Sequence, residues 1–312
     1  MAHVVRNLAA ASLLQGLWLM LPTAASADVL VVSQNALHLG QDSRAVPNYI
    51  AAKNVSMRGL ARWPGNGFPQ LTFFQEVMSQ ANEAAIQPVG AVVRFGPLKG
   101  NSSYLERYGN VFVNDAAGSA TILCHVDTAP MVGAGIAMQR PPDATLVSDS
   151  SRLVPRLVWF LNFHATFGAG REGLARRRAE VGEVGNIIAR LRAAPPQGCP
   201  ATSDNALVLG DWNLPATDPA FAALSANAGF GRLSAVPNVR TSLNAQARRT
   251  SAYDHFVFDD SRLQVSLAAL PAQNICGTSI RFVAGLMTPV SPRAFRRNCS
   301  DHLGIAAVVR VR

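Results

Sequence analysis

Apolar residues in this chain fall into short runs that end abruptly on polar ones. Residues 28–33 alternate into Val and Leu and predict a first strand, stopping at Gln34-Asn35. Residues 71–74 predict a second buried strand that stops at Gln75-Glu76, after a turn over 65–69. Further strands are predicted over 108–113, 136–138, 157–163, 206–209, 256–258 and 305–311. Helical spacing covers 173–192, and its arginines (Arg176, Arg177, Arg178, Arg190, Arg192) read as a solvated face. The stretch Ala193-Ala194-Pro195-Pro196-Gln197-Gly198 ends that helix, and 219–228 predicts a short one. Strands and helices mix from end to end without a linker or repeat, which predicts one α/β domain over 28–312.

The polar residues at the strand ends are more informative than the strands themselves. The run 206–209 gives way to Gly210-Asp211-Trp212-Asn213. Side chains two apart on an extended segment point the same way, so Asp211 and Asn213 can aim at one small polar target. The other predicted strands end at Asn35, at Glu76 and at His164, and Asp254 and the pair Asp301-His302 lie beside the late ones. Open α/β folds bring ligands to the ends of strands, where loops converge. Singly, each of these positions reads as an ordinary turn, cap or surface residue. Together they hold what phosphodiester hydrolysis needs: hard oxygen ligands for a cation, an acid and a base. Glu76 and Asp301 are candidate ligands, and His164 and His302 candidate acid/base groups. A histidine in that role needs a carboxylate on its far nitrogen, and Glu106 and Asp254 are available.

Charge and cysteines add context. The net charge is +9 and the pI about 10.2, carried almost wholly by arginine, since Lys53 and Lys99 are the only lysines. Arginine forks suit phosphate, but a GC-rich genome gives the same bias, so charge supports a nucleic-acid partner without establishing one. Arg6, the apolar run 8–21 and Ala25-Ser26-Ala27 form a secretory signal pattern, predicting a mature chain from Asp28 and export. The apolar run is short for a membrane span, and no later segment has the length. Cys124, Cys199, Cys276 and Cys299 suit an oxidising compartment. No Cys-x-x-Cys pair exists, which disfavours a thiolate zinc site or a thioredoxin-like motif. We expect Cys276–Cys299 and Cys124–Cys199 among the three possible pairings.

These motifs, in this order, resemble the endonuclease/exonuclease/phosphatase superfamily: Ser33-Gln34-Asn35, Phe74-Gln75-Glu76, Asn162-Phe163-His164, Gly210-Asp211-Trp212-Asn213, Tyr253-Asp254-His255 and Ser300-Asp301-His302. The resemblance spans nearly the whole mature chain. It implies a four-layered α/β sandwich, two packed mixed β-sheets flanked by helices. The segment Asn101-Ser102-Ser103-Tyr104-Leu105-Glu106-Arg107-Tyr108 is similar to the deoxyribonuclease I branch, which includes the nuclease subunit of cytolethal distending toxins. The resemblance implies Glu76 as direct ligand of Mg2+ (or Mn2+ or Ca2+), with Asn35 and Asp301 nearby. It implies Asp211 and Asn213 positioning water and phosphate, and Tyr104 on the scissile phosphate. It implies Glu106 paired with His164 as acid, and Asp254 paired with His302 as base. DNA is then the expected substrate, and a phosphoinositide or other lipid phosphate the alternative. Nothing in the sequence names a toxin partner subunit. Three positions depart from the pattern: Met78 stands for an arginine that reaches into the minor groove, Trp212 for Phe, and Leu303-Gly304 for an aromatic-Pro pair. A catalytically dead binding module is disfavoured, because it predicts at least one eroded position and all are intact.

Overall fold

Strand β1 (Val29–Leu39) runs parallel to β2 (Gln70–Val77) and antiparallel to the C-terminal strand. The computed structural model describes residues 28–40, 49–64, 67–78, 83–101, 104–114, 120–149 and 155–312. The expected leader over 1–27 and part of the turn over 65–69 lie outside them. In chain order β3 (Val92–Phe95), β4 (Lys99–Asn101) and β5 (Tyr104–Val113) follow on the β2 side. A second sheet comprises β6 (Ala120–Asp127), β7 (Asp143–Asp149), β8 (Arg156–His164), β9 (Ala206–Asp211), β10 (Leu233–Val236) and β11 (Asp254–Asp259). The chain then returns to the first sheet with β12 (Leu263–Leu267), β13 (Leu270–Ile275), β14 (Thr278–Val283), β15 (Leu286–Pro289) and β16 (Ile305–Val311). The first sheet is ordered β13-β14-β15-β16-β1-β2-β5-β3, the second β10-β11-β9-β8-β7-β6. Both are mixed, with parallel pairing at β1/β2 and β8/β9.

Alternation along the strands explains the layering. On β8, Val158 and Phe160 face the first sheet, while Trp159, Leu161 and Phe163 face the other way. That second face is covered by α3 (Gly170–Ala193) and α4 (Ala220–Ala228), through Val181, Val184, Ile187, Ile188, Phe221 and Leu224. The outer face of the first sheet carries α1 (Tyr49–Ala61), with α2 (Glu83–Ile86) and α5 (Pro292–Asn298) beside it. The four-layered α/β sandwich is therefore present. Trp212 is fully buried between Phe163 and Phe221 and donates to the His255 carbonyl at 3.1 Å. Truncating an aromatic at such a position costs about 3–5 kcal/mol.

Some expectations change. Residues 136–138 are not a strand; Gly135 is left-handed at φ 82°, Pro141 and Pro142 follow, and Ile136 is exposed. A short apolar run between such breakers has no partner to pair with. The α3 arginines are not merely solvated. Arg178 forks onto Asp218 at 3.0 Å, Arg177 reaches the Gly168 carbonyl at 2.6 Å, and Arg192 contacts the end of α4. The disulfides Cys124–Cys199 and Cys276–Cys299 both form. No helix of the described residues is long and apolar enough to cross a membrane.

Candidate active site

Strands β1, β2, β8 and β9 point their C-terminal ends at one rim, and β11 starts there. Register does the rest. His164 pairs with Asp211 across β8/β9, and Asp211 with Asp254 across β9/β11. Three candidate residues on separate stretches of sequence thus share one row. Gly210 is needed to make this row close: at φ 134° its backbone lies so near β8 that a Cβ would sit 1.9 Å from the Phe163 carbonyl oxygen. Beneath the row, a buried polar chain ties the sheets. Gln75 donates to Asn162 at 2.6 Å, and Asn162 to Asn110 at 2.9 Å and to the Phe74 carbonyl at 3.1 Å. These bonds explain why Gln75 and Asn162 belong to polar strand ends yet never reach the surface.

A cavity of about 560 Å3 opens at this rim, lined by Glu76, Tyr104, His164, Asp211, Asn213, Asp301 and His302 among others. His164 Nδ1 meets Glu106 at 2.8 and 3.0 Å, and His302 Nδ1 meets Asp254 at 2.9 Å. Glu106 and Asp254 are buried behind the imidazoles and leave both Nε2 atoms facing inward. Between those atoms stands Asp211, 3.7 Å from His164 Nε2 and 3.5 Å from His302 Nε2. Its other oxygen accepts the Asn213 backbone N–H at 2.9 Å. Asn213 adopts φ 48° and anchors its amide on the Ala165 carbonyl at 3.0 Å. Asn35 lies below, donating to Glu76 at 2.9 Å and to Asp211 at 3.1 Å. The Ser300 hydroxyl donates to the Asn35 carbonyl at 2.6 Å and accepts the His302 N–H at 3.0 Å, fastening the last loop to β1.

Electrostatics separate the two histidines. Burial, together with the neighbouring Arg140 guanidinium, pushes His164 down to about 4. Burial would lower His302 too, but Asp211 and Asp254 overcome it and hold the imidazole well above the usual range. Burial pushes Glu106 up to about 7 against the pull of Arg140. The Tyr104 phenol is driven far above its ordinary value by burial and by Glu76, to which it is hydrogen-bonded.

The donors suit a hard cation. Two trios place ligand atoms within 4.8 Å of one another: Glu76, Glu106 and His164, and Asp211, Asp254 and His302. In each trio one carboxylate is already spent on an imidazole Nδ1, so these are carboxylate–imidazole pairs more than ligand sets. Of the two carboxylates left over, Asp211 and Glu76, the candidate ligand is Glu76. It stands at a left-handed φ of 59° and is approached by Asn35, the His38 N–H at 3.2 Å and Tyr104. With Asp211 and Asp301 in the same cavity, the cluster is rich in oxygen and negative charge, as Mg2+ or Ca2+ requires. Asp301 lines the cavity but joins neither trio.

Arg140 is invisible in the sequence, one arginine among many. It is buried, lies 3.2 Å from His164 Nδ1 and 3.5 Å from Glu106, and faces the Tyr104 ring at 5.5 Å. His38, 3.5 Å from Glu76, is equally hidden, because it sits in a left-handed turn inside β1 with no motif around it. His255, by contrast, is structural: its ring nitrogens are taken by the carbonyls of Pro237, Leu214 and Ala252.

No family model matches the chain, and no curated protein matches it in sequence. Solved structures do match in shape. The human Nocturnin catalytic domain with bound sulfate superposes with TM-score 0.60 at 13% identity, over 92% of this chain and 96% of that one. An endonuclease/exonuclease/phosphatase family protein from Bacteroides thetaiotaomicron gives 0.57 at 15%, over 91% and 95%. ANGEL2, a 2′,3′-cyclic phosphatase bound to adenosine-2′,3′-vanadate, gives 0.53 at 10%, over 92% and 96%. With its paired sheets, its layering and the rim at which its conspicuous polar residues converge, this chain has the endonuclease/exonuclease/phosphatase fold.

Proposed function

We propose that this protein is an exported, divalent-metal-dependent phosphodiesterase, acting as a DNA endonuclease. The observation that carries the reading is the pair of carboxylate-backed imidazoles, Glu106–His164 and Asp254–His302, facing each other across Asp211. Two imidazoles of unlike proton affinity on either side of one small site are what a displacement at phosphorus uses, one to accept a proton and one to donate. Glu76 would hold the cation, with Asn35 and Asp301 beside it. The ion, Mg2+ or alternatively Mn2+ or Ca2+, supplies charge neutralisation at the phosphoryl oxygens. Asp211 and Asn213 would orient the attacking water and the phosphate, and Tyr104 would meet a phosphoryl oxygen from the other side.

The protonation pattern bears on the assignment of roles. His302 is the imidazole that holds a proton and His164 the one kept neutral, opposite to the base and acid roles the resemblance implies. Positive charge beside Glu76 would oppose the hold of Asp211 on the His302 proton and favour the implied roles.

A lipid or phosphoinositide phosphate is the second reading. The phosphoryl site alone does not discriminate, since the same groups would serve either ester. Plasmid nicking with and without EDTA, beside phosphate release from a phosphoinositide, decides between them. His164→Ala and His302→Ala should each abolish nicking while leaving thermal unfolding cooperative; full activity in either would refute the mechanism. Export with a mature N-terminus at Asp28 completes the proposal, and a retained Met1 on exported protein would refute that part.

A further inference from the structure

One side chain at the cavity rim has no part in the chemistry above. Phe167 lines the opening, is 75% exposed, and contacts no other described aromatic ring. The segment carrying it is fixed on both sides. Thr166 gives its backbone N–H, at 2.8 Å, and its hydroxyl to Glu180, a carboxylate buried in α3. Arg177 donates to the Gly168 carbonyl at 2.6 Å. Gly168 packs so tightly on Gly173 that a Cβ on Gly173 would lie 2.5 Å from the Gly168 carbonyl carbon. A buried carboxylate and an arginine are thus committed to a short loop whose central aromatic stays in water, where the hydrophobic effect disfavours it.

The surroundings select what could cover the ring. Leu37 is the one aliphatic side chain among the described residues lining the cavity. Among the described residues no apolar wall continues from Phe167 to receive an acyl chain. The loop between β10 and β11 contributes Ser242, Thr250 and Ser251 to the same cavity and carries Arg240, Arg248 and Arg249, all exposed. No carboxylate of the described residues pairs with these three. A flat apolar face next to a phosphoryl site, with unpaired cations on an adjoining loop, matches a polyanion whose bases are free to stack.

We infer that Phe167 is a stacking platform for an unpaired base next to the scissile phosphate, so that single-stranded nucleic acid is the preferred substrate class. This rests on the phosphodiesterase reading and adds to it the strand state. In a duplex both faces of each base are already stacked, and the ring would have nothing to receive.

The test compares unsubstituted protein, Phe167→Ala and Phe167→Trp on oligothymidylate and on a base-free tetrahydrofuran phosphate oligomer of equal length. Phe167→Ala should raise KM for oligothymidylate about ten-fold, with kcat within about two-fold, and leave KM for the base-free oligomer unchanged. Phe167→Trp should keep the low KM. Because the tryptophans among the described residues, Trp63, Trp159 and Trp212, are at most 1% exposed, the introduced indole is the one of these a ligand can reach, with the unsubstituted protein as blank. In EDTA its emission should be quenched by oligothymidylate and not by the base-free oligomer or by phosphatidylinositol phosphate vesicles. Unchanged KM in Phe167→Ala would overturn the inference, as would equal quenching by the base-free oligomer or by vesicles. Quenching by oligothymidylate without hydrolysis of any phosphodiester would keep the platform and reject the phosphodiesterase reading. Hydrolysis without either effect would reject the platform alone.

Discussion

Glu106 and His164 are expected to hide each other's titration, and removing either should expose the other. Folding takes Glu106 from 4.5 to about 7 and His164 from 6.5 to about 4, both through burial first. Between those limits the unfolded pair holds one proton, on the histidine. The folded pair also holds one, on the glutamate. Equal proton counts mean no net slope of stability with pH from this pair. In Glu106→Gln only the histidine is left. Its unfolded form binds a proton below 6.5 and its folded form resists until about 4, so stability is lost as pH falls through that window. In His164→Asn only the glutamate is left. Its folded form keeps the proton up to about 7, so stability is lost as pH rises from 4.5. At about 1.4 kcal/mol per pKa unit, each unmasked proton is worth on the order of 3 kcal/mol across its window. Chemical denaturation in EDTA at a series of pH values, read as variant minus unsubstituted protein, isolates the pair from other titrating groups. Glu106→Gln also weakens the partner of buried Arg140, a cost that does not vary over this range because the guanidinium stays charged. Slopes of the same sign in the two variants, or flat lines in both, would refute the reasoning. If Glu106→Gln does not fold, the rising-pH loss in His164→Asn still decides it.

The geometry supports three further predictions. Gly210→Ala should destabilise by several kcal/mol, of the order that strained or clashing sites reach, and abolish activity, because its Cβ would strike the Phe163 carbonyl; urea unfolding checks it, and a loss under about 0.5 kcal/mol would contradict the β8/β9 packing. Replacing Cys124 and Cys199 by Ser should cost more than replacing Cys276 and Cys299. The loops they close span 75 and 23 residues, and chain entropy assigns them about 4 and 3 kcal/mol; the reverse order in guanidinium melts would refute the entropic account. Binding of Mg2+ near neutral pH should release protons, because charge beside Glu76 and Asp211 weakens the hold on the His302 proton. Titration calorimetry in buffers of different ionisation enthalpy reads this, and no proton release would show that the ion does not reach Asp211.

The fold is legible in the sequence, and the convergence of the candidate site residues is more conspicuous than most individual strands, for a physical reason. Strand-end chemistry is written in residue type: an Asp, a His or a Glu stopping an apolar run is conspicuous even when the run's partners are unknown. His164, Asp211 and Asp254 stand out in three separate stretches, and sheet register places them in one row. The strands 157–163, 206–209 and 305–311 are readable because their runs are apolar but for Asn162 and Arg310, and are largely buried on both faces. Strands β12 to β14 escape because they alternate exposed and buried residues without strong apolar runs. α1 escapes because its buried side holds Lys53 and Asn54, which give no apolar stripe.

Arg140 and Phe167 mark a different boundary. Neither belongs to a motif, and residue type says nothing of their surroundings. An arginine is usually solvated and a phenylalanine usually buried; here the arginine is buried and the phenylalanine is not. Each inversion has a local cause. Arg140 is drawn inside by Glu106 and the Ala165 carbonyl, and Phe167 is held outside by the anchors on Thr166 and Gly168. The two sit on either side of His164, one supporting its imidazole from behind and one flanking the cavity it faces. Sequence pattern could therefore supply the candidate polar groups of the rim, which the proposed chemistry would need. Phe167, which could choose among substrates, and Arg140, which supports His164, are both placed against their type, and only the tertiary packing around His164 brings them out.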